Sequence, residues 1–392
     1  MSPLIKFIDE AEIINRKILL RVDFNVSFNP DHTIADDLRI RQALPTINYL
    51  LNHQYKLILI SHLGNPKNRD SQYSLQPVAN RLQTFLPNYE IKLINDLSEE
   101  SKNIIQNQQE NQIFILENIR FYPEEKNNDL EFAKKLALLG EIFINDAFSV
   151  CHRTDASIIT LPKLLPSYGG LLLKKEIKEI SKIIKNPKKP FVAIIGGAKI
   201  STKIPLLYKL IGLADYVLIG GGIANTFLSA QGYDIGTSIT EESKKEDSKN
   251  LIELASQKNT KLLLPIDVVV EKNNQIKKIY EVLSEDKIMD IGPDTQEQFK
   301  DIIVQAKTII WNGPMGFFEN PLFKKGTDSV FQAITENKET TSIIGGGDTT
   351  VAISRQEKLS QIGYISTGGG AMLSFIEKGT LPGIEALKNS SI

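Results

Sequence analysis

Arg21, His62, Arg120 and Arg153 each close or follow a short apolar run, in ILLRVDFN (residues 18–25), KLILISHLG (56–64), IFILENIRF (113–121) and EIFINDAFSVCHR (141–153). Runs rich in Ile, Leu, Val and Phe at this length predict buried parallel strands. In open α/β sheets ligands bind beyond the carboxyl ends of the strands. Cationic and potentially cationic groups gathered at one sheet end describe an anion site, because guanidinium forks match phosphate and carboxylate oxygens, whereas crowded arginines with no anion repel one another. Arg39, near the start of the next helix, can reach the same cleft. Asp23 follows Arg21 by two positions, so on a strand their side chains share a face, which Asn25 continues. That carboxylate either orients the guanidinium towards a ligand or makes a purely structural pair. His62 is either a satisfied strand-end histidine or a donor to phosphate or carboxylate once an anion is present.

A second set of candidates lies in the other half of the chain. Lys199 and Lys203 stand four apart just past FVAIIGGA, which puts both ammonium groups on one helical face if that segment is helical. Two amines there either hold the oxygens of a phosphoryl group in flight or are solvated surface lysines. Gly345, Gly346, Gly347, Asp348 and Thr349 lie between TSII and TVAI, a strand-to-helix turn at which backbone N–H groups can face phosphates. Asp348 is then either a helix N-cap or the holder of an Mg²⁺ ion lying between it and the phosphates. Asn312 in WNGPMGFFE and the glycine clusters 220–222 and 368–370 occupy corresponding strand ends and are expected to wall the same cavity. No GxxxxGK[ST] occurs, and GGGIAN lacks the last glycine of a dinucleotide fingerprint, so if the cavity binds a nucleotide, a mononucleotide with Mg²⁺ is expected.

These residues need two sheets to position them. Apolar runs alternate with helical periodicity in the first half, the pattern of a parallel sheet covered on both faces. A helix is expected after Asp36 and Asp37, with Ala43, Ile47 and Leu50 on one face and Pro45 arguing against its continuity. Residues 168–190 read as a connecting helix in which Leu172, Glu176, Ile180 and Ile183 follow one stripe. The alternation restarts with FVAIIGG, DYVLIGG, KLLLPIDVVV, KTIIWNG, TSIIGGG and GYISTGGG, which predicts a second α/β domain. For Trp311 a packing role and a place in a cavity wall are both open. The final LPGIEAL reads as a short helix or turn.

Composition narrows the classes. A chain of 392 residues, 41% hydrophobic and 24% charged, can bury two cores. With 46 Lys plus Arg against 47 Asp plus Glu it has no global field for nucleic acid, so anion binding must come from local placement. Cys151 is the sole cysteine, which excludes an intrachain disulfide and points to the cytoplasm. No stretch reads as a signal peptide or a membrane span.

In order and spacing, RVDFNV, DDLRIRQALPTI, SHLG, LENIRF, DAFSVCHR, GGAKISTKI, GGIANTFL, DIGPDT, WNGPMGFFE, GGGDT and STGGGA resemble the motifs of the phosphoglycerate kinase family. The resemblance implies two Rossmann-like parallel-sheet domains joined by a hinge helix. Residues 1–168 would bind phosphoglycerate, with 377–392 returning to pack on them; 169–186 would form the interdomain helix and 187–376 the nucleotide domain. It implies reversible transfer of the acyl phosphate of 1,3-bisphosphoglycerate to MgADP, giving 3-phosphoglycerate and MgATP, by a cytoplasmic monomer. Carried over residue by residue, it places the substrate on Asp23, Asn25, Arg39, His62, Asn65, Arg120 and Arg153. The nucleotide falls to Gly197, Lys203, Gly221, Asn312, Glu319, Gly346, Gly347, Asp348 and Thr349, with Mg²⁺ on Asp348. Arg39, Lys199 and Lys203 carry the transfer itself.

The pattern has departures. Ser27 replaces a proline, Asn65 the arginine of SHLGRP, and Ser149 and Val150 a glycine and a threonine; FIEKG inverts a glycine and a lysine. Asn65 removes a cationic contact and keeps open a related phosphotransferase acting on another acyl phosphate. A nucleotide-binding protein that has lost catalysis is the reading from a different class.

Overall fold

The computed structural model describes residues 5–11, 16–354 and 357–390, and the chain divides into two compact units, Met1–Ile177 with Thr380–Ile392, and Lys178–Gly379.

The first unit is built on a six-stranded parallel sheet. Across it run Glu90–Ile94, Gln112–Leu116, Lys56–Ile60, Lys17–Arg21, Ile142–Asn145 and Ser167–Gly169. Its central strands are apolar at consecutive positions because both faces are covered: Ile18 and Leu20 pack into one core cluster and Leu19 into another. Two strands fall outside the four apolar runs. Glu90–Ile94 is an edge strand whose residues alternate in exposure, so it has no continuous apolar run, and Ser167–Gly169 is only three residues long.

The central strand stops at Arg21, so the alternation expected to align Arg21 with Asp23 and Asn25 does not extend to them. Helix Leu38–Asn52 continues through Pro45, contrary to the expected break. Pro45 and Arg41 are both exposed, so the carbonyl left without an N–H partner can be hydrated. Ala43, Ile47 and Leu50 are buried on the inner stripe.

The connecting helix runs Leu171–Lys185. Its first turn is tied to the end of strand Ile142–Asn145 and to helix Leu38–Asn52: Leu173 N–H donates to Asp146 Oδ1 at 3.0 Å and Leu171 N–H to Thr46 Oγ1 at 3.1 Å. Leu172, Glu176, Ile180 and Ile183 are buried, as the stripe predicts. The segment LPGIEAL is helical over Pro382–Lys388 and packs on residues 156–163, with Gly383 N–H donating to Cys151 O at 2.9 Å.

The second unit has its own six-stranded parallel sheet, ordered Lys261–Leu263, Tyr216–Ile219, Phe191–Ile195, Thr308–Asn312, Thr341–Gly345, Tyr364–Ser366. Numbered by sequence within this sheet, that is the doubly wound order 3-2-1-4-5-6. The run KLLLPIDVVV, read as one strand, is two. Pro265 separates Lys261–Leu263 from Asp267–Val270, which joins Ile276–Lys278 and Ile288–Ile291 in a three-stranded antiparallel sheet. Trp311 belongs to the core, fully buried, with its indole N–H on Gly313 O at 2.8 Å. Among the described residues no helix is long and apolar enough to cross a membrane.

Candidate active site

In the first unit the sheet order reverses between Lys17–Arg21 and Ile142–Asn145. Chains leaving those two strands in opposite directions open a crevice at their carboxyl ends. Asp23 lies there. Its carboxylate accepts from Asn25 N–H at 3.0 Å and from the Ser149 hydroxyl, and it pairs with Arg39, which reaches over from the first turn of helix Leu38–Asn52. Asn25 Oδ1 accepts from Gly64 N–H at 2.7 Å, while Gly64 O takes Arg120 Nη1 at 2.6 Å. One turn of backbone therefore ties the Asn25, His62 and Arg120 segments together. Asn65, the next residue, is exposed and accepts from Lys126 Nζ.

Arg21 does not make the pair with Asp23 that its spacing suggests. It is fully buried and donates to Ser157 Oγ at 3.0 Å, Val22 O at 2.7 Å and His62 Nδ1 at 3.3 Å. Ser157 in turn donates to Glu125 at 2.6 Å, so the guanidinium is a structural strut beneath the crevice. Nor is His62 a cation. Burial, then the charges of Arg21, Arg120, Arg39 and Arg153, hold its pKa well below the ordinary value. With Nδ1 accepting from Arg21, the neutral ring carries its proton on Nε2 and remains a donor.

The remaining arginines act on each other. Burial and the charges of Arg153 and Arg21 lower the Arg120 pKa to about 10, which leaves it charged at neutral pH. Its Nε and Nη2 are buried without hydrogen-bond partners, and the nearest carboxylate, Asp155, stands 3.7 Å from Nη2. Arg153 is exposed beside them. Buried, unsatisfied guanidinium donors in a field of like charge favour an anion.

In the second unit the order reverses between Phe191–Ile195 and Thr308–Asn312, and a cavity of about 410 Å³ opens near their carboxyl ends. Gly197, Gly221, Glu319 and Asp348 line it, together with Asn225, Ile239, Met315 and Phe317, which had not been singled out individually. Asn225 and Phe317 lie within GGIANTFL and WNGPMGFFE, and neither residue type marks a ligand site by itself. The glycines are needed for close approach: at Gly313, with φ +95°, a Cβ would overlap Gly196 O. Of the residues expected in the wall, Gly221 and Gly222 are there, whereas Gly220, Asn312 and glycines 368–370 are not.

Beside the cavity, Lys203 Nζ donates to Asn312 Oδ1, and Asn312 Nδ2 donates to Gly345 O at 2.6 Å. Burial lowers the Lys203 pKa to about 8, partly opposed by Asp348. The expected helical face for Lys199 and Lys203 does not form. Lys199 is extended, a 3₁₀ turn spans Ile200–Thr202, and the α-helix begins only at Ile204. Lys199 is exposed, with its charge felt at Glu241.

Gly346 has φ +113°, and a Cβ there would come within 2.5 Å of Asn312 Nδ2. It turns strand Thr341–Gly345 into helix Gly347–Ile353, of which Gly346, not Asp348, is the N-cap residue. Asp348 is exposed in the first turn. Thr349 Oγ1 is buried and accepts from Gly313 N–H at 2.7 Å, which joins the two strand ends.

A crevice of arginines at one sheet switch point and a glycine-floored cavity with a half-buried lysine beside it at another are the equipment of a small-molecule phosphotransferase. The family model described as "Phosphoglycerate kinase" matches residues 8–379. The phosphoglycerate kinase of Dictyoglomus turgidum is 45% identical over 386 residues, covering 97% of each chain, and that of Pelotomaculum thermopropionicum is 40% identical over 389 residues, covering 97% of this chain and 98% of its own. Among solved structures, phosphoglycerate kinase from Coxiella burnetii superposes with a TM-score of 0.84 at 37% identity, covering 98% of both chains. The Pyrococcus horikoshii enzyme gives 0.86 at 31%, covering 97% of this chain and 98% of that one. The chain belongs to the phosphoglycerate kinase family. It is a transferase, and its reaction is the reversible transfer of a phosphoryl group between 1,3-bisphosphoglycerate and ADP in glycolysis.

Proposed function

We propose that the crevice of the first unit binds the glycerate and the cavity of the second the adenine nucleotide, and that the chain works as a cytoplasmic monomer. The observation that carries this reading is Arg120, whose buried donors have no partner and whose pKa is lowered by burial and by neighbouring arginines. Such a group calls for a dianion of phosphate size. Asp23, Asn25 and neutral His62 orient the glycerate by hydrogen bonds, and Arg39, Arg120 and Arg153 match its carboxylate and phosphate; Asn65 borders the same site. The resemblance adds the pairing of units with ligands.

On the nucleotide side, Gly197 and Gly221 let the backbone approach the base, Glu319 receives the ribose hydroxyls, and Lys203, Asn312, Gly346, Gly347 and Thr349 shape the phosphate end. Asp348 fits Mg²⁺: it is an exposed carboxylate at the cavity, and this ion is usually held by one or two carboxylates plus substrate phosphates. When bound there, Mg²⁺ supplies charge neutralisation to the nucleotide phosphates.

In the transfer, an anionic β-phosphate oxygen of ADP attacks the acyl phosphorus. The bond from phosphorus to the acyl oxygen breaks, and 3-phosphoglycerate leaves as a carboxylate. No proton moves, so no general base is required. Arg39 and Lys199 stabilise charge on the equatorial oxygens, and Lys203 fixes the nucleotide phosphates. In-line geometry demands that both ligands meet in the reacting complex, and hinge motion at helix Leu171–Lys185, which crosses the boundary between the units, would supply that meeting. The test is a coupled assay with 3-phosphoglycerate and MgATP. Turnover with glycerate phosphates and none with other acyl phosphates or free carboxylic acids is the expected result; nucleotide binding without transfer would overturn it.

A further inference from the structure

Asn65 stands at a position where the family pattern has an arginine, and the structure puts another cation there. Lys126, the last residue of the short helix Pro123–Lys126, donates from Nζ to Asn65 Oδ1. A lysine at a helix C-terminus would ordinarily sit over its own terminal carbonyls. Lys126 reaches across 61 positions of sequence instead. Asn65 directly follows Gly64, whose carbonyl holds Arg120 and whose N–H is held by Asn25. The Lys126 ammonium therefore sits at the rim of the arginine cluster, one residue from its backbone joint. It is exposed and forms no ion pair among the described residues. An ammonium has three donors, and Asn65 occupies one.

We infer that Lys126 is a substrate-binding residue of this chain, supplying to the phosphate of the phosphoglycerate the charge that Asn65 does not carry, with Asn65 as the positioning residue that holds it. The inference rests on the reading of the first unit as the glycerate site. Of the nearby carboxylates, Glu125 is buried on Ser157 and Asp155 faces Arg120, while Glu124 on the same short helix is exposed and makes no ion pair with Lys126. None of them neutralises the ammonium. A mere staple between two surface loops would fix the Asn65 segment without altering affinity for one substrate more than for the other.

The experiment is steady-state kinetics on the full chain with 3-phosphoglycerate and MgATP. Failure of the unmodified protein to turn over this pair would refute the proposed function itself. Given that turnover, Lys126→Met should raise KM for 3-phosphoglycerate about tenfold, the loss expected for one charge-assisted hydrogen bond, with kcat and KM for MgATP within about twofold. Lys126→Arg should stay near the parent value. Asn65→Arg combined with Lys126→Met should restore KM to within about threefold of the parent by returning a guanidinium to the position. An unchanged KM in Lys126→Met, or equal losses for both substrates with a lowered melting temperature, would reduce Lys126 to a surface staple. Failure of the double variant to recover, with its melting temperature unchanged, would likewise overturn the assignment.

Discussion

Arg39 and Asp23 are paired across the crevice of the first unit, one from the first turn of helix Leu38–Asn52 and the other from the loop after the central strand. The contact holds a guanidinium at the site rather than in solvent: burial lowers its pKa, and buried Glu176 on the connecting helix opposes that shift. Arg39 is thus electrostatically linked to the helix on which the proposed closure turns.

That placement predicts the kinetics of Arg39→Ala. Loss of one positioned donor to the transferring phosphoryl group should lower kcat by about 10²–10³. Nucleotide affinity, measured by calorimetry, should change little, because the second unit is untouched. Near-normal turnover in the coupled assay would remove Arg39 from the chemistry.

Lys203 predicts a pH dependence. Its pKa is lowered to about 8, chiefly by burial, so the free protein has lost half of this charge at that pH and most of it one unit higher. Only the ammonium attracts phosphate, and ADP affinity should therefore fall as pH rises from about 8, by up to tenfold per unit until the pKa of the complex is reached. Lys203→Arg should flatten the profile, since a guanidinium stays charged. A titration of ADP affinity between pH 7 and 9.5 decides it, and a flat profile in the unmodified protein would contradict the role.

Much of this was readable from residue order. Buried parallel strands write themselves as apolar runs, and residues placed just after them come out at the strand ends, which is why Asp23, His62 and Arg120 could be expected at the crevice and Asp348 at the cavity. Three things were not readable. The direction of the Arg21 guanidinium depends on Ser157 and Glu125, far away in sequence, and no spacing rule connects them. The state of His62 depends on how many arginines surround it in space. The 3₁₀ turn between Lys199 and Lys203 replaces the helical register that a four-residue spacing suggests.

Asp348 predicts a metal dependence. Asp348→Asn keeps the size of the side chain but removes its charge, so the Mg²⁺ concentration giving half-maximal rate should rise at least about tenfold. Melting temperature should hold, because the side chain is exposed and the helix N-cap is Gly346. An unchanged Mg²⁺ requirement would assign the ion to the nucleotide alone.

Arg21 predicts stability rather than affinity. Its guanidinium is fully buried, bonded to Ser157, and balanced electrostatically first by Glu125. Truncation in Arg21→Ala leaves Glu125 as a buried carboxylate without its counter-charge, a change that typically costs about 3–5 kcal/mol. Chemical denaturation should show that loss, and Arg21→Ala/Glu125→Gln should recover part of it.

Asp146 gives a second pH dependence, this one in stability, and it too declines as pH rises. It accepts from the first turn of the connecting helix, and burial raises its pKa to about 7. Between about pH 4 and 7 the folded chain therefore holds a proton that the unfolded chain has released, so the contribution of this group is full below about pH 4 and lost as pH rises through 7. Asp146→Asn mimics the neutral carboxyl at every pH. Denaturation midpoints at pH 5 and pH 8 should lie closer together in this variant than in the parent, with the gain at pH 8. If both proteins lose the same stability between those two values, the carboxyl is ionised throughout and the buried start of the connecting helix tolerates its charge.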